Sequence, residues 1–433
     1  MSEKDKLINE NNNQNERKLY EKNIKVYKKY KMFSYDFLFY FAVSVMYFTQ
    51  IKGFTTSQVM YITAFYTFFS FIWQVTANFL VEKIGLKKSI VFGNFLVCFT
   101  SFSYIVAPSF YLVIVGEFFG SLGFTLKSLA EGTLCYSSLK RIGKRESFSK
   151  VEGIANSKYY YYDAISSVLA GYLFIINGYI PIILCFVNSV ISLMISLNFK
   201  DIKLNENENL ENKFNFKEFK CQLLTILKSK RSKSIFLYAF FFMGIISVTG
   251  NLYKLLLIDL GIQTQYITMI VCLFTVLVGF GAKFVFALEK HTKNKTLMSF
   301  AYMYIFALAI ISITCKNFKL NIGVLIIVML SLSILGFVQG AYRVAIKKYV
   351  LNFTNSGIRT KITSLYYMAE NLGSSLMLFI SGKALDYMPT YNFSLIFTIF
   401  SFITMGLILV YMKGKIGLKP EEYKSSEINN TKV

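Results

Sequence analysis

Twelve apolar stretches, each about 20 residues long, fill this chain and leave only short polar gaps between them. About 20 apolar residues wound as a helix cross the hydrocarbon core of a bilayer. Inside that core only helices or closed barrels satisfy their own backbone groups. The stretches run 32–51, 57–80, 88–107, 109–134, 154–176, 179–198, 234–257, 264–288, 297–315, 320–344, 360–384 and 391–412. They predict an all-α membrane protein with twelve transmembrane helices in two pseudo-symmetric six-helix halves, 32–198 and 234–412. The partner of so much apolar surface is the lipid bilayer.

Charge placement gives the orientation. The formal net charge is +23, a value that in a soluble protein would suggest nucleic acid. Here only 16% of residues are charged, against about 25% in soluble domains, and the basic ones crowd into every second gap. Lys22, Lys25, Lys28, Lys29 and Lys31 precede the first stretch, and Lys83, Lys87 and Lys88 follow the second. Lys140, Arg141, Lys144, Arg145 and Lys150 follow the fourth, and Lys290, Lys293 and Lys295 the eighth. The intervening gaps hold few bases or none. By the positive-inside rule both termini face the cytoplasm of a plasma membrane, and no nucleic-acid partner is implied. The abundance of Lys, Asn, Ile, Tyr and Phe fits an A+T-rich coding bias that inflates lysine further.

Three polar segments flank the halves. Residues 1–31 read as a disordered cytoplasmic tail, since MSEKDKLINENNNQNERK lacks apolar content. Residues 413–433 form a second tail. The linker 199–233 joins a polar run to an amphipathic helix, with Phe216, Phe219, Leu223, Ile226 and Leu227 interleaved among Lys217, Lys220 and Lys228. The cysteines Cys98, Cys135, Cys185, Cys221, Cys272 and Cys315 form no C-x-x-C and mostly fall in apolar spans, so they read as small buried hydrophobes. No metal or cofactor motif is evident. No P-loop and no catalytic triad are present either, so neither an attached ATPase nor an enzyme is expected.

Between the second and third spans the chain reads Asn78-Phe79-Leu80-Val81-Glu82-Lys83-Ile84-Gly85-Leu86-Lys87-Lys88. This resembles the G-x-L-a-D-R-x-G-R-K loop of the major facilitator superfamily, with Leu80, Glu82, Lys83, Gly85 and Lys88 fitting and Asn78 in place of the first glycine. The resemblance implies a twelve-helix carrier working by alternating access. It also implies a cytoplasmic gate in which Glu82, Lys83, Lys87 and Lys88 hold the two halves together near the eleventh helix. Residues 127–153 and 358–373 resemble a bacterial branch of drug-efflux-like permeases. That branch usually has an acid and a proline late in the second span, where this chain has Gln74 and Thr76. It places an arginine in the fourth span where this chain has Glu117.

Ionisable residues at membrane depth are expensive and usually functional. Glu117, Asp163 and Glu370 each fall roughly 12–15 Å into their spans at 1.5 Å per residue. Each shares a helix face with polar neighbours: Ser121, Thr125 and Ser128 for Glu117, Asn156, Tyr159, Ser166 and Ser167 for Asp163, and Thr363, Tyr366, Tyr367 and Ser374 for Glu370. A carboxyl group taken out of water can gain and lose a proton as its surroundings change. Glu117, Asp163 and Glu370, with Ser121, Tyr159 and Tyr367, are therefore the expected proton-coupling and substrate-cavity residues. Lys127 and Glu131, four apart, read as a local ion pair. Asp36 is placed at the cytoplasmic end of the first span. These readings converge on a monomeric secondary transporter that exports small amphipathic organic compounds against proton entry. The alternatives are proton-coupled uptake of a metabolite, or a non-transporting membrane sensor or lipid-modifying enzyme.

Overall fold

The computed structural model describes residues 3–144, 147–202, 230–292, 295–352 and 359–412. The amphipathic linker segment 216–228 and the tail 413–433 lie outside the described residues. Every regular element among the described residues is helical. In chain order they are α1 (Glu3–Ser34), α2 (Ser44–Met46) with the π-helical turn Tyr47–Ile51, α3 (Thr56–Ile84), α4 (Leu86–Val106), α5 (Phe110–Arg141), α6 (Phe148–Ile176) and α7 (Ile180–Ser196). The second series is α8 (Lys230–Asp259), α9 (Thr264–Thr292), α10 (Thr296–Asn317), α11 (Ile322–Asn352), α12 (Arg359–Leu385) and α13 (Thr390–Met412).

Among the described residues eight helices are long and apolar enough to cross a membrane: α3, α4, α5, α8, α9, α10, α11 and α13. The predicted spans on α6, α7 and α12 fall short for visible reasons. Helix α7 is short, while α6 carries Glu152, Lys158 and Asp163 and α12 carries Lys361, Glu370 and Lys383. The outward faces are apolar, as lipid requires. On α13, Ile396, Ile399, Ile403, Leu407 and Val410 are exposed while Phe393, Phe397, Met405 and Ile408 are buried.

Two expectations need correction. Residues 20–31 are helix, not a disordered tail: Tyr20, Ile24, Tyr27 and Tyr30 follow helical spacing and pack against Leu134 and Leu139 of α5, Ile90 of α4 and Phe199. The interleaved Lys22, Lys25, Lys28 and Lys29 hide that stripe from a hydropathy reading. The first span is also not one helix. Helix α1 stops at Ser34, and the chain runs without regular structure to Val43 before α2 begins. Phe37, Leu38, Phe39 and Ala42 are nevertheless buried in this break, and Phe39 adopts a φ of 65° that strains any residue with a β-carbon.

By proximity the described chain forms two compact units. The first comprises Met1–Phe41, Ile72–Leu169 and Tyr179–Phe214, and the second Ala42–Phe71, Ala170–Gly178 and Asn215–Val433. In the first, Gly93, Gly116, Gly120 and Gly123 let α4 and α5 touch: a Cβ on Gly93 would stand 2.7 Å from the Gly123 carbonyl oxygen. Small residues permit such approach where no water drives helices together. In the second, α9 and α11 meet at Gly281 and Gly340, and α8 and α12 at Gly244 and Gly373. Segments from early in the chain join this second unit. Thr63 of α3 accepts a hydrogen bond from Asn251 of α8 at 2.9 Å, Phe65 meets Phe379 of α12 edge to face at 4.9 Å, and Gly171 of α6 lies against Thr268 of α9.

A Cβ at position 340 would stand 1.8 Å from the backbone oxygen of Val278, which cannot swing away. Gly340→Leu should therefore lower the thermal midpoint of the detergent-solubilised protein by several degrees and reduce its monodisperse yield. Gly406→Leu, where nothing lies within 4 Å, should not. Size-exclusion chromatography after graded heating reads both.

Candidate functional site

The break in the first span leaves helical carbonyls without their usual partners, and neighbouring side chains supply the missing donors. Asn188 of α7 donates to the Phe33 oxygen at 2.9 Å, and the Lys127 ammonium of α5 donates to the Ser34 oxygen. A cation at a helix C-terminus is also favoured by the helix dipole. Lys127 therefore does not form the local pair with Glu131 expected from their spacing. Glu131 instead binds the ammonium of Lys31, one turn before the break, and both are buried. Tyr27 donates to Glu152 of α6, and Asn94 of α4 donates to Tyr30 at 2.7 Å and accepts from Ser192 of α7 at 2.8 Å. A polar network thus ties α1 to α4, α5, α6 and α7 within the first unit.

Glu117 lies beyond this network on α5 and is buried. The Tyr104 hydroxyl of α4 donates to its Oε1 at 2.6 Å, and Tyr40, from the break, stacks on the Tyr104 ring at 4.9 Å and 12°. Phe37 closes the same corner against Tyr104 and Phe124. Ser121 does not join the carboxylate. It is buried, and its hydroxyl donates to the Phe118 oxygen of its own helix.

Glu370 on α12 is also buried. The Tyr342 hydroxyl of α11 donates to its Oε1 at 3.1 Å, and the Tyr366 hydroxyl donates to the same oxygen from one turn away. Ser374, one turn further, meets Ser247 of α8 at 2.8 Å. The Tyr367 ring lies 5.5 Å from that of Tyr366, tilted by 57°. The tyrosines that hold Glu370 are therefore 342 and 366. Tyr366 was legible at i−4 from the acid; Tyr342 and Tyr104 come from other helices, and no local pattern announces them.

Asp163 is buried on α6, with Tyr159 one turn before it. The Tyr159 ring lies 4.5 Å from that of Tyr35 in the break. Asp36 is exposed, and its neighbours Ser34 and Tyr35 pack against Lys127 of α5 and Tyr159 of α6.

The loop between α3 and α4 takes its shape from Gly85. Its φ of 89° lies in the left-handed region open to glycine, and it caps α4 with Ser89 N–H and Oγ both donating to its carbonyl. Glu82 and Lys83 are exposed on the last turn of α3, where Lys83 complements the helix dipole. Asn78 turns its amide onto the Gln74 oxygen at 2.9 Å. Lys87 is half-buried and Lys88 exposed on the first turn of α4. Among the described residues no three His, Cys, Asp or Glu side chains come together as metal ligands.

The sequence profile of the Major Facilitator Superfamily matches residues 32–378. The chain belongs to the major facilitator superfamily. Its fold is that of solved transporters. The crystal structure of the nucleoside transporter NupG superposes with a TM-score of 0.71 at 12% identity, over 91% of this chain and 99% of that one. A POT family transporter in complex with a thioalcohol-conjugated peptide gives 0.67 at 11% identity, over 92% and 95%. Another, with 5-aminolevulinic acid, gives 0.68 at 11% identity, over 92% and 95%. At such identities the likeness is one of fold. No curated protein sequence matches the chain.

Removing one member of a buried ion pair strands the other charge and typically destabilises by about 3–5 kcal/mol. Lys31→Met should lower the thermal midpoint sharply, and Lys31→Met with Glu131→Leu should recover most of the loss. Thermal unfolding of the purified variants followed by tryptophan-independent circular dichroism checks both.

Proposed function

We propose that this superfamily member is a proton-coupled secondary transporter, with Glu117 and Glu370 as its proton-carrying groups. The observation that carries the reading is their shared setting. Each is a buried carboxyl held by a tyrosine hydroxyl from a neighbouring helix, Tyr104 for Glu117 and Tyr342 for Glu370, the latter joined by Tyr366 of its own helix. Tyrosine is a neutral donor, so it orients the carboxyl without fixing it as a permanent ion pair. Among the described residues Glu117 has no ion pair at all. A proton arriving at such a group changes its charge and its hydrogen bonding together, which is what couples protonation to a helix rearrangement.

The transported compound is a small organic molecule, and the direction we favour is export of amphipathic compounds from the cytoplasm. The acids and tyrosines of the buried clusters suit a cationic or aromatic solute. Glu82, Lys83, Lys87 and Lys88, which flank the Gly85 turn, are assigned to the cytoplasmic gate. We assign Asp163 a supporting role in the same cavity. The chain is taken to work as a monomer in the plasma membrane of a bacterium, with both termini inside.

Energised everted vesicles carrying a fluorescent reporter of the proton gradient test this directly. A substrate of an exporter should dissipate the gradient in the parent. Glu370→Gln and Glu117→Gln should each reduce that response by at least about tenfold while inserting normally, the loss expected when a required proton-transfer group is removed. Unchanged responses in both variants would refute the coupling assignment, and substrate-driven alkalinisation only in right-side-out vesicles would reverse the direction.

A further inference from the structure

Helix α1 carries two faces of opposite chemistry. Tyr20, Asn23, Ile24, Tyr27 and Tyr30 are buried against the rest of the first unit. Lys18, Lys22, Lys25 and Lys29 are exposed. Their spacing keeps the four lysines within about 60° of one another at about 3.6 residues per turn, on the side of the helix opposite Tyr20 and Tyr27. Among the described residues none of the four makes an ion pair. The acids on this part of α1 are engaged: Glu21 pairs with Arg17 at 3.6 Å, and Glu16 accepts from the Tyr20 hydroxyl at 3.4 Å. Glu152 of α6 accepts from Tyr27 on the buried face.

The packed face fixes where these lysines stand. The Tyr20 hydroxyl accepts from Arg141, the last residue of α5, at 2.9 Å. Asn23 exchanges two hydrogen bonds with the backbone of Lys200, just beyond the end of α7: its Nδ2 donates to the Lys200 oxygen at 3.0 Å, and the Lys200 N–H donates to its Oδ1 at 2.8 Å. Leu86, the first residue of α4, belongs to the same buried cluster. The stretch of α1 from Lys18 to Lys25 is therefore level with the ends of three other helices. Helix ends bearing Lys and Arg mark a bilayer surface.

We propose that the lysine face of α1 is a docking surface for the phosphate headgroups of anionic phospholipids. A cluster of lysines beside a membrane-crossing segment attracts anionic lipid, and the attraction grows with each base near the surface. Lys29 lies about 6 Å further along the helix than Lys25, and its flexible stem lets the ammonium reach back toward the headgroups. Arg141, whose guanidinium lies 5.5 Å from the Tyr20 ring, adds charge at the same level. Bound headgroups supply the partners that no described side chain gives these lysines. The inference goes beyond the transport reading. Only the choice of the inner leaflet rests on the orientation proposed above, and headgroup binding needs neither substrate nor proton gradient.

The chain has one tryptophan, Trp73, so a reporter can be placed beside the lysines. Full-length Trp73→Phe protein with Val26→Trp, at the edge of the lysine face, is reconstituted with brominated dioleoylphosphatidylglycerol or brominated dioleoylphosphatidylcholine, and fluorescence quenching gives their relative binding. Phosphatidylglycerol should bind at least about fivefold better, and salt raised from about 0.1 to about 0.5 M should weaken the preference. A reporter at Phe306→Trp, on an exposed position of α10, should show no such preference. Combined Lys18→Gln, Lys22→Gln, Lys25→Gln and Lys29→Gln should abolish the preference at Val26→Trp, and the four Lys→Arg changes should keep it. An unchanged melting temperature in detergent separates lost docking from lost folding. Should the combined variant not fold, Lys22→Gln and Lys25→Gln singly should each lower the preference. Equal binding of the two lipids by the parent, the same preference at Phe306→Trp, or an unchanged preference in folded lysine-to-glutamine variants would each overturn the proposal. Loss of the preference to inorganic phosphate, matched in ionic strength by chloride, would overturn it in favour of a soluble anion. A failed coupling assay with the lipid preference intact sinks the transport reading alone, and the converse result sinks the docking surface alone.

Discussion

Water is absent from the middle of a bilayer, so every backbone group there needs a partner within the protein. That constraint explains the helices, and it also explains what surrounds the one place where a helix fails. When α1 ends at Ser34, the carbonyls of Phe33 and Ser34 need donors in a medium that offers none. Asn188 and Lys127 provide them from two different helices. An irregular segment at membrane depth survives only inside protein or beside a cavity. Phe37, Leu38, Phe39 and Ala42 are accordingly buried, and Asp36 alone among the first residues of the break is exposed.

Around this point the structure trades apolar packing for directional bonds. Lys31 with Glu131, Tyr27 with Glu152, and the Tyr30–Asn94–Ser192 chain hold α1 in one register against four helices. A helix held by dispersion alone could rotate with little penalty. Buried hydrogen-bonded pairs fix one orientation, because any other leaves polar groups unmatched. The second unit shares the glycine packing that joins α4 and α5 in the first. Gly281 and Gly340 bring α9 and α11 into backbone contact, and Gly244 and Gly373 do the same for α8 and α12. Glu117 and Glu370 each lie on one helix of such a tight pair and accept a hydrogen bond from a tyrosine of another helix, Tyr104 of α4 and Tyr342 of α11.

The apolar periodicity of the chain carried the helical class and nearly all of the helix positions, because a spanning segment announces itself in a single window. The burial of Glu117, Asp163 and Glu370 was legible for the same reason: a charge inside an apolar run has few places to go. The Gly85 turn was legible as well, since the motif places a glycine where the backbone needs a positive φ. What failed to show was interaction between helices. Lys127 and Glu131 have the spacing of a pair, yet each finds a stronger obligation on α1. Tyr104 and Tyr342 sit far along the chain from the carboxyls they hold. The helix before the first predicted span was missed because its lysines, interleaved along it, lowered the average of a segment that also carries Tyr20, Ile24, Tyr27 and Tyr30.

That segment has a consequence for how the fold is held together. As it leaves the ribosome, the region from Tyr20 to Met46 carries Lys22, Lys25, Lys28, Lys29, Lys31 and Asp36. A basic or acidic residue near the centre of an inserting helix costs about 2.5–3.5 kcal/mol. Its compensating partners are Glu131 on α5, Asn94 on α4 and Asn188 on α7, all made later. The buried polar groups of this early segment are thus matched only by helices that lie later in the sequence, so its seat is a product of the assembled fold rather than of its own composition.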